Sequence, residues 1–94
     1  MLVKWAKLMT QRWIEKDDEI IDLPNLTAVI DKEGKWYVAT CPELGIASQG
    51  HTRKEAYEML AEATELWLGS ASATEIRRRL RRGVRVKPLE LSQA

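Results

Sequence analysis

The feature that most constrains the fold is a pair of strand-like runs on either side of a glycine. Residues 26–30 and 35–41 are rich in β-branched and aromatic side chains, and the short segment 31–34 between them ends in Gly34. This arrangement is typical of an antiparallel β-hairpin in which glycine occupies the loop position that needs a positive φ. The sequence therefore predicts an antiparallel sheet built around a loop at residues 31–34.

A third strand and a long helix are predicted to follow the hairpin. Pro42 ends the second run because it has no N–H to donate, and residues 46–49 predict a short third strand that Gly50 closes. Thr52 and Glu55 have the spacing of a capping box, which marks the start of a helix. The helical face predicted to pack on the sheet carries Ala56, Leu60, Ala63 and Trp67.

The C-terminal segment predicts a short basic helix and a final strand. A second capping box at residues 72–75 precedes a helix that should end near Gly83, with Ile76 and Leu80 as its large apolar pair. The alternation of residues 84–87 predicts a last strand, which Pro88 restricts to the edge or the end of a sheet.

The N-terminal arm, residues 1–24, has a weaker pattern. Four large apolar side chains recur at roughly helical spacing and predict a helix: Leu2, Trp5, Met9 and Trp13. Because two tryptophans are costly to leave in water, we expect the arm to dock on its own domain or on a neighbouring subunit.

These patterns predict one α+β domain over residues 1–94. Its core, residues 25–68, is a three-stranded antiparallel sheet with one main packed helix in the order βββα. The extension, residues 72–91, is a short helix and a final edge strand. A length of 94 residues fits a single domain.

The composition excludes several classes of protein. With one cysteine, Cys41, and one histidine, His51, the chain has no disulfide framework and no zinc site of several thiolates. We expect no metal and no cofactor, although these counts leave carboxylate sites for hard cations open. The apolar opening is interrupted by Lys4 and Lys7, and no apolar run is long enough for a membrane span. The expected location is the cytoplasm.

The net charge of +1 conceals an asymmetry along the chain. Residues 75–94 carry seven basic and two acidic side chains, whereas residues 1–74 carry eight basic and twelve acidic ones. An acidic body with a basic end can attract a polyanion, a complementary partner or a second copy of itself.

The phrases at residues 26–30, 34–39, 41–44 and 48–56, taken in this order, resemble the HicB antitoxin family. The resemblance covers residues 25–68. It implies a reduced ribonuclease H-type βββα unit without catalysis, whose partner is a HicA toxin, a small protein that cleaves RNA. The chain departs from the fuller family pattern after the main helix, where the segment is too short for a helix-turn-helix module.

The resemblance makes an antitoxin the leading hypothesis, a non-enzymatic module that occludes the active site of a HicA-like toxin. An acidic surface would complement the basic RNA-binding surface of such a toxin. The glutamates expected to be exposed there are Glu43, Glu55, Glu58, Glu62 and Glu65. We also expect a homodimer or a higher homo-oligomer, built through an edge strand, the N-terminal arm or both.

The alternative hypothesis is a small nucleic-acid-binding regulatory protein. Arginine forks bind phosphates and carboxylates in a bidentate manner, so the basic segment could contact nucleic acid or another subunit. It could equally form a solvated helix face that pairs with acidic residues of the same or a neighbouring subunit. The residues concerned are Arg77, Arg78, Arg81, Arg82 and Arg85.

Catalytic arrangements are weaker explanations of the same residues. A ribonuclease H-type reaction needs carboxylates that converge on two metal ions, whereas Asp31, Glu33 and Glu43 fall in predicted loops. His51 lies between Gly50 and the helix cap without an evident nucleophile beside it, and Cys41 fits a small, half-buried strand residue. We therefore expect no catalytic residues.

Overall fold

The computed structural model describes residues 13–92. The chain begins there with a β-hairpin formed by β1 (Trp13–Lys16) and β2 (Glu19–Asp22). Asp17 and Asp18 have φ angles of 52° and 63°, which is the pattern of a type I′ turn. Ile14 pairs with Ile21, and both side chains are buried.

The helix predicted for the N-terminal arm is therefore wrong for residues 13–22. Trp13, the last member of the predicted helical stripe, lies in β1 and is half exposed. The buried side chains Ile14 and Ile21 instead follow the two-residue alternation of strands, and the Asp17–Asp18 pair provides the reversal. The other members of the stripe, Leu2, Trp5 and Met9, lie outside the described residues.

A three-stranded antiparallel sheet follows, made of β3 (Val29–Glu33), β4 (Trp36–Cys41) and β5 (Ile46–Gly50) in this spatial order. Gly34 has the predicted positive φ, 62°. The loop is shorter than predicted because the β3–β4 ladder extends to Glu33 and Trp36. The predicted order of three strands is confirmed.

Helix α1 (Arg53–Ser70) packs on one face of this sheet and completes the predicted βββα unit. The Thr52 hydroxyl accepts a hydrogen bond from the Glu55 N–H at 2.9 Å, and the Glu55 carboxylate accepts one from the His51 N–H. Of the predicted packing face, Ala56 and Leu60 are fully buried and Ala63 and Trp67 are partly buried.

Gly50, at the end of β5, permits this close packing. A Cβ atom at this position would lie 2.6 Å from the backbone nitrogen of Ala56, far inside van der Waals contact. Glycine is therefore required where β5 meets the first turn of α1.

Helix α2 (Ala73–Leu80) is the predicted short basic helix. The Ser72 hydroxyl caps it by accepting from the Glu75 N–H at 3.1 Å, and the Asp17 carboxylate accepts from the Ala73 N–H at 2.9 Å. Ile76 is fully buried in a core that also includes Ile14. The β1–β2 hairpin and α2 thus close one end of the βββα unit.

The final edge strand predicted for residues 84–87 is wrong. Residues 83–92 form neither strand nor helix, and residues 81–92 are all exposed. A cavity of about 750 Å³ lies between residues 83–86 and the connection from β2 to β3. An alternating sequence forms a strand only where a sheet edge accepts its backbone hydrogen bonds, and residues 84–87 are not paired with one.

Candidate protein-binding surface

The exposed face of α1 carries a row of four glutamates, which we call the acidic stripe. Successive members are separated by three, four and three positions, so they lie on one side of the helix. The opposite side packs on the sheet through Ala56, Leu60 and Leu68. The acidic stripe consists of Glu55, Glu58, Glu62 and Glu65.

Two of the four carboxylates are the most available for a partner. Glu62 is exposed, and the Glu58 side chain is half exposed with Lys54 Nζ at 4.0 Å. An exposed ion pair of this length contributes little. One carboxylate oxygen of Glu55 already accepts a hydrogen bond from the His51 N–H, and Glu65 is partly buried. The centre of the acidic stripe is therefore Glu58 and Glu62.

The spacing of these charges opposes helix stability. Like charges three or four residues apart destabilise a helix by about 0.2–0.5 kcal/mol for each pair. Lys54 is the one base within α1 that forms an ion pair with the stripe in the described structure. Basic side chains placed against the acidic stripe would relieve this repulsion.

Glu43, predicted as an exposed glutamate, is buried and lies outside the acidic stripe. Only 7% of its surface is exposed. Its Oε1 atom accepts from the Thr27 N–H at 2.9 Å, and its Oε2 atom accepts from the Thr27 hydroxyl at 2.6 Å. These hydrogen bonds connect the segment before β3, which contains Thr27, to the turn after β4, which contains Glu43. Sequence patterns did not reveal this role because the two partners are far apart along the chain.

The pKa of Glu43 reflects two opposing effects. Burial, the largest single effect, would raise the pKa, but the hydrogen bonds from Thr27, from the Glu43 backbone and from Cys41 together outweigh it and lower the pKa below the ordinary value of 4.5. Cys41 is also buried, and its thiol donates a hydrogen bond to Glu43 Oε1 at 3.4 Å. Burial, together with the neighbouring carboxylate, raises the pKa of Cys41. A thiol in this position is a poor nucleophile.

The predicted basic residues do not form one open surface. Arg77 forms an ion pair with Glu19 of β2, and Arg78 pairs with Glu75 at 2.9 Å. These contacts match the alternative in which the arginines pair with acidic residues of the same subunit. Three other predicted members are exposed and form no ion pair with a described residue: Arg81, Arg82 and Arg85.

Arg79, which is not among the predicted contact residues, has a structural role. Its guanidinium donates to the Leu44 carbonyl at 2.7 Å and lies over the Trp67 ring, 5.1 Å from the ring centroid. The contact joins α2 to α1 and to the turn after β4. The sequence holds one indication of this role: Arg79 lies three positions after the core residue Ile76, on the same side of α2.

The carboxylates weighed for catalysis are dispersed. Asp31 and Glu33 are exposed in β3 rather than in a loop, and Glu43 is buried at the opposite end of the sheet. His51 stacks on Trp36 with ring centroids 4.3 Å apart. Within residues 13–92, no three or more His, Cys, Asp or Glu side chains converge on a point that could hold a metal ion.

Fold and surface together define a small α+β domain of the βββα type with an acidic helix face. The profile of a family described as "Family of unknown function (DUF7387)" matches residues 15–82, and the chain belongs to this family. A relative named "UPF0150 protein" from Helicobacter pylori (strain J99 / ATCC 700824) is 36% identical over 70 residues, which cover 73% of this chain and 97% of the relative. No solved structure gives a significant match.

Proposed function

We propose that this chain is a HicB-like antitoxin that acts in the cytoplasm without catalysis. It binds a small RNA-cleaving toxin of the HicA type and covers the surface that the toxin needs for RNA. The proposal rests on the resemblance of residues 25–68 to the HicB family and on the acidic stripe. The phrases that carry the resemblance fall on β3, β4, β5 and the start of α1, and on the segments directly before and between them.

The acidic stripe is the observation that carries the binding mechanism. A protein that cleaves RNA must attract a polyanion, so its substrate surface is basic. Glu58 and Glu62 would present carboxylates to that surface at the spacing of one helical turn. Occupying the basic side chains of the toxin would speed the encounter and exclude RNA at the same time.

The test is a binding assay with the product of the adjacent gene, if that gene encodes a small basic protein. The two proteins are co-expressed and co-purified, and their affinity is measured by calorimetry. We expect a stable complex whose affinity falls as salt rises, because exposed charges are screened. Failure of the pair to associate would contradict the proposal.

A charge reversal then tests the surface. The double variant Glu58→Lys with Glu62→Lys should weaken binding by at least about tenfold, because two attractive contacts become repulsive. The matched control is Glu15→Lys with Glu90→Lys, which reverses the same charge at two exposed positions outside α1. Equal affinities for the two double variants would refute a role for the acidic stripe.

A further inference from the structure

The segment of residues 84–87, Val-Arg-Val-Lys, has the sequence of a strand but pairs with no strand of residues 13–92. Val84 is 38% exposed and Val86 is 51% exposed, and residues 83–92 contribute to no ladder. Extended backbone with alternating apolar and basic side chains is suited to pair with the edge of a sheet. We call residues 84–87 the tail strand.

Strand β3 offers a suitable edge. It has one neighbour, β4, in the described sheet, so its other side is open. Ile30 packs against the core, and alternation therefore places Asp31 and Glu33 on the face directed away from α1. Both carboxylates are exposed and form no ion pair with a residue of 13–92.

The charges of the tail strand and of β3 are complementary. Arg85 and Lys87 lie two positions apart and share one face of an extended segment, as Asp31 and Glu33 do on β3. Pairing the two segments with these faces together sets bases against acids across the strands. It also places the valines of the tail strand on the side of Ile30, next to the core.

The opposite edge of the sheet does not offer this match. On β5, the residues directed away from α1 are Ala47 and Gln49, which carry no charge. Opposite charges that face each other across strands stabilise the pairing, whereas uncharged neighbours give a basic strand no such preference. The charge pattern therefore selects β3.

We propose that the tail strand of one copy adds to the β3 edge of a second copy, and that the exchange is reciprocal. Within residues 13–92, each copy has one unpaired strand and one unpaired acidic edge. In a twofold homodimer, each tail strand pairs with the β3 edge of the other copy, so the backbone groups of both segments form hydrogen bonds. Pro88 follows the tail strand directly, which ends the pairing because it lacks an N–H. The inference does not depend on the proposed antitoxin function.

The test uses two full-length variants with opposite charge reversals and measures molar mass by light scattering. The first is Arg85→Glu with Lys87→Glu, which makes the tail strand acidic. The second is Asp31→Lys with Glu33→Lys, which makes the β3 edge basic. In each variant alone, tail and edge repel, and the dissociation constant of the dimer should rise at least about tenfold above that of the unaltered chain.

Mixing the two variants in equal amounts is the decisive step. The acidic tail of the first then faces the basic edge of the second, and the basic tail of the second faces the acidic edge of the first. We expect the mixture to regain the dimer mass. Pairing of the tail with β3 of its own chain would leave the mixture monomeric and would overturn the proposal.

Two further outcomes would also overturn it. One is an unaltered chain that is monomeric at every concentration measured, and the other is a dimer of unchanged affinity in both variants. The acidic-stripe variant Glu58→Lys with Glu62→Lys should remain dimeric, so a failure of toxin binding and a failure of tail exchange are distinguishable. Circular dichroism spectra that match the unaltered chain confirm that each variant is folded.

Discussion

The hydrogen bond from the Thr27 hydroxyl to Glu43 should contribute measurably to stability. The substitution Thr27→Val replaces the hydroxyl by a methyl group of similar size and leaves one oxygen of a buried carboxylate without its donor. The bond is 2.6 Å long, and a hydrogen bond to a charged group contributes about 1.5–3 kcal/mol. We expect a loss of about 2 kcal/mol in the free energy of unfolding and a fall in Tm of about 10 °C.

The pH dependence gives this prediction a second, independent outcome. Because the pKa of Glu43 is lowered in the folded protein, its stabilising effect is complete above the unfolded value of 4.5 and is lost as pH falls through the folded value. Thr27→Val removes one cause of that lowering, so the stability difference between the two proteins should shrink below pH 4.5.

The assay is urea denaturation of both proteins from pH 7 down to about pH 3, with Thr27→Ser as the control that keeps the hydroxyl. The serine variant should lose less than about 1 kcal/mol, since it lacks only a partly buried methyl group. A loss of less than about 0.5 kcal/mol for the valine variant at pH 7 would contradict a stabilising hydrogen bond. A loss in the free energy of unfolding that is the same at pH 7 and pH 3 would contradict it as well.

Three other predictions test the packing of the βββα unit and α2. Gly50→Ala should destabilise the protein by about 1–3 kcal/mol, because the added Cβ would meet the backbone of α1. The control Gly69→Ala has open space around it and should stabilise the protein by up to about 1 kcal/mol. Equal effects of the two variants in thermal melts would contradict the close contact at Gly50. Ser72→Ala should cost about 1 kcal/mol by removing the cap of α2, and an unchanged urea midpoint would show that the cap contributes nothing. Cys41 should react with a thiol reagent at pH 8 far more slowly in the folded protein than in urea, since burial raises its pKa; equal rates would show that the thiol is accessible.

The sequence predicted the βββα unit well because its signals are local. Gly34 marks the hairpin turn, Pro42 follows directly after β4, and the Thr52 hydroxyl caps α1, as the short-range patterns indicated. Each of these effects acts within a few residues, so spacing along the chain is sufficient to find it.

The errors arose where distant contacts or weak periodicity decide the structure. Four apolar side chains at residues 2–13 suggested a helix, but the turn at Asp17 and Asp18 and the buried pair of isoleucines favour a hairpin over residues 13–22. The prediction that Glu43 is exposed is wrong because its hydrogen-bond partner Thr27 is 16 positions away, beyond the range of local sequence patterns. The tail strand has the right alternation, but strand formation also requires an edge, which no local pattern provides.

The most direct test of the proposed function is inhibition of RNA cleavage. If the adjacent gene encodes a small basic protein, that protein is incubated with a structured RNA, and this chain is added in increasing molar ratio while intact RNA is quantified. We expect cleavage to stop once the partner is saturated, and the variant Glu58→Lys with Glu62→Lys to require at least about tenfold more protein for the same protection. Cleavage that continues undiminished with this chain in large excess would contradict the antitoxin proposal.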